Sequence, residues 1–250
     1  MDVGLTHLDR RADQAGTGLV QERDGFWRAQ DLAPIYAILK RVEIPSSLFY
    51  LSCRALQAPQ TASLLGEYLP DAVVAFVVTH LRRVLRAAPD DVQRRCHGFE
   101  LWTTRAQRSE TGQIYLHIDC DEKLRTTTGT VRTPMLGSVM YLGPRSGLIG
   151  GETLFVIDDR ADERFAPYKF HDWKVLAGAD PVCVVKHDTG KLALFAGHLR
   201  HGQGPVIDHS EGEPRVAFLA NLWDARIDDV PEGICALSPE EFRRRAQPQD

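Results

Sequence analysis

Gln113-Ile114-Tyr115-Leu116-His117-Ile118-Asp119 places an aliphatic side chain at every second position, the pattern of a β-strand with one apolar face. Successive strand side chains point to opposite faces, so Ile114, Leu116 and Ile118 share one face and Tyr115, His117 and Asp119 the other. An imidazole and a carboxylate held side by side supply two legs of a metal tripod. The usual third leg of a non-heme Fe(II) site is a later histidine. A histidine and an aspartate two residues apart are common by chance, so the surroundings have to carry the reading.

The third leg is sought downstream. Lys191 to Ala196 reads as a strand, and Gly197-His198-Leu199-Arg200-His201-Gly202 follows it. His201 is the favoured ligand because it leads into Gly202, Gly204 and the Pro205-Val206 strand, where glycine permits close backbone approach. His198 reads as a loop histidine. Next, Pro214-Arg215-Val216-Ala217-Phe218-Leu219-Ala220-Asn221-Leu222-Trp223 is a strong strand with one cation at its start. Arg215 shares a face with Ala217, a small neighbour that leaves room for a ligand, and a planar guanidinium is suited to grip a carboxylate through paired hydrogen bonds. An ordinary arginine at a rim has the same local appearance.

Around these residues the chain changes texture once. Up to Pro89 it is helical: Leu32, Ile35, Tyr36, Leu39 and Val42 form a stripe over Asp31 to Val42, and a second helical region runs from Ser46 to Leu69, broken near Pro59. Val73, Val77, Leu81, Val84 and Leu85 mark a third helix over Asp71 to Ala88, whose apolar side serves either to support a sheet or to meet a second copy. After Pro89 come eight short strand-like runs: Gly98 to Thr104, Gln113 to Asp119, Gly137 to Leu142, Glu152 to Ile157, Val182 to Lys186, Lys191 to Ala196, Pro205 to Ile207 and Arg215 to Trp223. Eight strands with helices ahead of them predict an α+β protein built on a double-stranded β-helix, or jelly roll, with N-terminal supporting helices. The expected organisation is an arm and supporting helices over 1–90, the core over 91–227, and a C-terminal helix and tail over 228–250, together one structural domain. Ser238-Pro239-Glu240-Glu241 is a capping box that starts the last helix. The acidic and aromatic segment from Asp158 to Gly178 reads equally as a lid or a surface insertion.

Composition narrows the function. Thirty basic against 34 acidic residues leave a net charge of -4, too little field of either sign for a nucleic-acid partner. No run is apolar enough to span a bilayer and the polar start has no signal-peptide core, so no membrane association is expected. Cys53, Cys96, Cys120, Cys183 and Cys235 are odd in number and widely spaced, which fits a reducing cytoplasm better than a disulfide framework or structural zinc site.

In order and spacing, His117-x-Asp119, Val139-Met140-Tyr141-Leu142, Gly150-Gly151-Glu152-Thr153-Leu154-Phe155, His201-Gly202-Gln203-Gly204-Pro205-Val206 and Arg215 together resemble the 2-oxoglutarate and Fe(II)-dependent dioxygenases, in their prolyl 4-hydroxylase-like branch. The likeness spans Phe99 to Trp223. It implies that His117, Asp119 and His201 hold iron and that Arg215 binds the far carboxylate of 2-oxoglutarate. It also implies that Tyr141 assists there, and that O2 and 2-oxoglutarate are consumed as an unactivated C–H bond is hydroxylated. The implied substrate is a small molecule, an amino acid or a peptidyl residue. Two other readings stay open: a cupin-like metalloenzyme that does not use 2-oxoglutarate, and a non-catalytic jelly-roll binding module. Oligomeric state is open as well.

Overall fold

The computed structural model describes residues 18–106, 114–157, 182–209, 212–230 and 234–246. In chain order these form β1 (Val20–Arg23), α1 (Ala29–Leu39), β2 (Phe49–Ser52), α2 (Cys53–Gln57), α3 (Thr61–Gly66), α4 (Asp71–Ala87), α5 (Asp90–Arg95), β3 (Gly98–Ala106) and β4 (Ile114–His117). There follow α6 (Glu122–Thr128), β5 (Leu136–Gly143), β6 (Leu148–Gly150), β7 (Thr153–Val156), β8 (Val182–Val185), β9 (Leu192–Ala196), β10 (His201–Gln203), β11 (Val206–His209), β12 (Arg215–Trp223) and α7 (Pro239–Ala246). The long segment from Asp158 to Gly178 lies outside the described residues.

The longest apolar runs make the centre. β12 is flanked by β3 and β5, and the six-stranded antiparallel sheet has the order β1-β9-β5-β12-β3-β2. With a side-chain period of two, Val216, Phe218, Ala220 and Leu222 of β12 turn to one face, with Phe99 and Leu101 of β3 and Met140 and Leu142 of β5. That face is covered by helices. Helix α4 starts directly after Pro70, carries Asp71 in its first turn and Arg86 in its last, and buries Val73, Val74, Phe76, Val77, His80, Leu81 and Val84. Phe76 meets Phe218 edge to face at 5.4 Å between ring centroids, so the α4 stripe supports the sheet.

The opposite face of the large sheet looks onto a four-stranded antiparallel sheet of order β4-β10-β7-β8. Between the two lies a smaller core in which Val139, Tyr141, Ala193, Phe195 and Ala217 of the large sheet meet Phe155 and Val185 of the small one. The architecture is therefore mixed helix and sheet, with antiparallel strands throughout both sheets. β11 and β6 form a separate two-stranded antiparallel ribbon.

Several elements differ from expectation. The region read as helical over Ser46 to Leu69 opens with a strand, β2, whose Phe49-Tyr50-Leu51 run is buried against β3 before α2 and α3 follow. Four consecutive strand-compatible residues were masked by the helical stripes on either side. Likewise β1 pairs with β9, although Val20–Arg23 lies in the segment expected to begin as a loose arm. His201–Gln203, read as a loop leading to a strand, is itself a strand, paired on both sides by β4 and β7. The final helix starts where the capping box put it, with Ser238 Oγ accepting from the Glu241 N–H at 3.2 Å.

Candidate metal centre

β4 and β10 are antiparallel neighbours, and their register sets His201 directly opposite His117. Cross-strand partners of this kind bring side chains within about 5.5 Å of one another, and the two imidazole centroids are 4.6 Å apart. β4 ends at His117, so Asp119 lies just past the strand; it nonetheless turns back to the same point. His117 Nε2 stands 3.3 Å from Asp119 Oδ1, and His201 Nε2 stands 3.5 Å from Asp119 Oδ2. One potential ligand atom from each residue lies within 4.8 Å of the others. Because the strand stops, the alternation does not extend to Cys120, which also lines the cavity.

The hydrogen bonds leave these atoms ready for an ion. A carbonyl can only accept, so the 3.0 Å contact of His201 Nδ1 with the Leu199 carbonyl places the imidazole proton on Nδ1. The Nε2 lone pair then points into the site, and among the described residues that buried atom makes no hydrogen bond. A buried ring nitrogen without a hydrogen bond is rare in a folded protein unless something else is meant to bind it. Asp119 Oδ2 accepts from Asn221 Nδ2 at 3.0 Å, which fixes the carboxylate plane. Bonds of about 2.1 Å to a first-row divalent ion are compatible with the observed 3.3 and 3.5 Å separations.

The electrostatics agree. Burial alone opposes charge on Asp119, but His201, His117 and the Asn221 amide together outweigh it and hold the carboxyl below its ordinary range. Burial pushes His201 downward, and Asp119 offsets this only in part. An ionised carboxylate beside a neutral imidazole is the protonation pattern that metal ligands need. His117, Asp119 and His201 therefore fit a divalent ion, with two nitrogen donors and one oxygen donor grouped together at one cavity.

That cavity has a volume of about 390 Å³ and lies between the two sheets. Arg215 lines it and is only 2% exposed. Its Nη1 donates to Gln203 Oε1 at 2.6 Å and its Nη2 to Thr153 Oγ1 at 3.4 Å, while Nε has no hydrogen-bond partner among the described residues. Among the described residues no carboxylate lies within ion-pair distance of it. Two features hold it in place. Glu213, bound by Lys40 at 2.8 Å and by the Tyr36 hydroxyl at 2.9 Å, anchors the chain just before β12. On the other side Gly151, at φ +72°, passes so near that a Cβ there would lie 2.9 Å from Arg215 Cδ.

Tyr141 stands behind the cavity wall. It is fully buried, donates its hydroxyl to Thr153 Oγ1 at 2.6 Å, and presents its ring 5.4 Å from the Arg215 guanidinium carbon. The structure thus brings His117, Asp119, His201 and Arg215 around one cavity and sets Tyr141 one layer out. Thr153 and Gln203, which bind Arg215, escaped the sequence reading; their signal was only position, two residues after Gly151 and His201.

Glu100 also escaped it. β3 points Glu100, Trp102 and Thr104 to the cavity, and a carboxylate inside the apolar run from Phe99 to Trp102 is the clue that was available. Burial and the nearby Asp119 push Glu100 up to about 8. Asp121 is the N-cap of α6, accepting from the Leu124 N–H at 3.1 Å and from Arg132 at 2.5 Å.

No family model matches the chain, and no curated protein matches it. Among solved structures it is similar to a prolyl-4-hydroxylase from Pseudomonas putida, with 13% identity, 88% of this chain and 100% of that chain covered, and a TM-score of 0.49. It is similar to an oxidoreductase of the 2OG-Fe(II) oxygenase family from Burkholderia pseudomallei at 16% identity, covering 90% and 94% of the two chains with a TM-score of 0.49. A collagen prolyl hydroxylase from Paramecium Bursaria Chlorella virus-1 follows at 13% identity, 84% and 98% coverage and a TM-score of 0.47. Likeness at this level transfers no residue roles, and function has to be read from the site itself.

Proposed function

We propose that the protein is an Fe(II) and 2-oxoglutarate-dependent oxygenase that hydroxylates an unactivated C–H bond. The observation that carries this reading is the pairing, in one cavity, of a two-histidine, one-carboxylate cluster with a buried arginine that has no carboxylate within ion-pair distance among the described residues, Glu152 acting on it only from farther off. A buried charge of this kind is stable when something supplies its counter-ion. A dicarboxylic acid that reaches from the metal to Arg215 would supply it.

In this proposal His117, Asp119 and His201 hold the iron, and Arg215 grips the distal carboxylate of 2-oxoglutarate through its guanidinium fork. Thr153 and Gln203 orient that fork, and Tyr141 fixes Thr153 from behind. Asn221 keeps the Asp119 carboxylate turned to the ion. When bound, iron with 2-oxoglutarate and O2 supplies oxidising power, with succinate and CO2 as co-products. The protein orients the acid and keeps water away from the cavity between the sheets. Two antiparallel sheets enclosing one ligand site support a double-stranded β-helix, with supporting helices over 1–90, the core over 91–227 and a tail over 228–250.

A cupin-like enzyme that ignores 2-oxoglutarate would have no use for Arg215, and a plain binding module would have none for the hydrogen-bonded triad. The substrate in this reading is a small molecule, an amino acid or a peptidyl residue. Unpaired cysteines favour a cytoplasmic setting, and no described helix is long and apolar enough to cross a membrane. Iron-loaded protein should bind 2-oxoglutarate without oxygen and convert it slowly to succinate when oxygen is admitted. Failure of both, with iron bound, would refute the proposal.

A further inference from the structure

One wall of the cavity has no task in the reaction just described. β3 contributes Glu100, Trp102 and Thr104 to it at alternate positions, and Glu43, Ser46 and Ser47 line it from the segment after α1. Glu100 is 7% exposed and has no cation within ion-pair distance among the described residues. The hydrogen bond it receives from Asn221 Nδ2 is long, 3.5 Å, and the Trp223 indole stands close by. Glu43 is exposed and lies at the same wall, whereas Glu122, which also lines the cavity, is already paired with Arg125 at 2.8 Å.

Charge balance singles out Glu100. If a ferrous ion and 2-oxoglutarate occupy the site, the metal and Arg215 bring three positive charges, and Asp119 with the two carboxylates of the acid brings three negative ones. Glu100 is then left without a counter-charge, and its buried carboxyl favours the neutral form until a cation supplies one. The group beside it points to the same remedy. Trp102, two residues along the same strand, is the aromatic side chain that attracts cations best.

We propose that this wall is the substrate subsite and that it binds a cationic group, an ammonium or a guanidinium, between the Glu100 carboxylate and the Trp102 indole. Glu43 adds a second negative charge near the bound group, and Ser46, Ser47 and Thr104 offer hydroxyls to its remaining donors. The charge balance behind this preference, like the choice of bond oxidised, rests on the oxygenase reading, whereas the placement of Glu100 and Trp102 at the cavity does not.

Matched ligands test it by calorimetry on the full chain loaded with Mn(II) and 2-oxoglutarate. The probes are arginine against citrulline and lysine against norleucine, pairs that differ chiefly in charge. An acetyl-Gly-Lys-Gly-amide peptide and its norleucine counterpart distinguish a residue in a polypeptide from a free metabolite. The expected result is that at least one cation of the series binds tenfold or more tightly than its neutral partner, and that Glu100→Gln brings the ratio close to one. Equal binding within every pair by the wild-type protein, including no binding of any probe, overturns the proposal, as does a preference that survives Glu100→Gln. Titration of 2-oxoglutarate in the same preparation separates the two claims: its failure to bind speaks against the oxygenase, and the cation ratio alone speaks for or against the subsite.

Discussion

Arg215 is where residue chemistry bears most directly on function. Lysine in its place keeps the charge but loses the planar fork that Thr153 and Gln203 orient. Arg215→Lys is expected to weaken 2-oxoglutarate binding by roughly thirtyfold, about 2 kcal/mol, the lower end for disturbing a buried charge pair. Calorimetry with an inert metal measures this, and an unchanged affinity would detach Arg215 from the co-substrate. Gly151 provides an independent check on the same side chain. At φ +72° and with Arg215 Cδ in the way, Gly151→Ala should destabilise the protein by about 1–3 kcal/mol in a urea melt. The meeting of His117, Asp119, His201 and Arg215 at one cavity was legible in the sequence because the metal and carboxylate chemistry proposed for them restricts residue types severely. Glu100, Thr153 and Gln203 were not, because carboxylates, hydroxyls and amides are common on any surface and only the fold shows which of them face inward.

Among the elements, α4 carries a titration prediction. His80 is fully buried on its sheet-facing side, stacked on Phe76, and accepts from Trp27 Nε1 at 3.1 Å through Nδ1. Burial first, and Arg83 second, depress it to about 3. Its folded pKa lies below the usual value of about 6.5, so the unfolded chain binds the proton more readily. The stability held by neutral His80 is complete above about pH 6.5 and is lost as the pH falls towards 3. Between pH 7 and pH 5 this amounts to about 2 kcal/mol. Urea denaturation across that window should show the fall, and His80→Gln, which retains an acceptor for Trp27, should flatten it; an equal slope in the variant would contradict the assignment. Elements with a single strong period, α4 and β12 above all, were readable to within a residue or two at each end. β1, β2 and β10 were not, because three or four residues hold too little periodic signal and become strands only when a neighbour offers its edge.

At the scale of the molecule, two antiparallel sheets divide the work. The large one is buried against helices on one face and forms the cavity with the other, so its strands read as almost continuous apolar runs broken by a few polar residues. Three of those breaks, Glu100 on β3, and Arg215 and Asn221 on β12, lie on the cavity side. The small sheet contributes His117 and His201 from adjacent strands, and the central claim is that these two and Asp119 bind one ion. Equilibrium dialysis against Fe(II) under argon tests it most directly, comparing the wild-type protein with Asp119→Ala. The account predicts one iron per wild-type chain and a severe loss in the variant at the same free iron concentration; equal iron content in the two would contradict it.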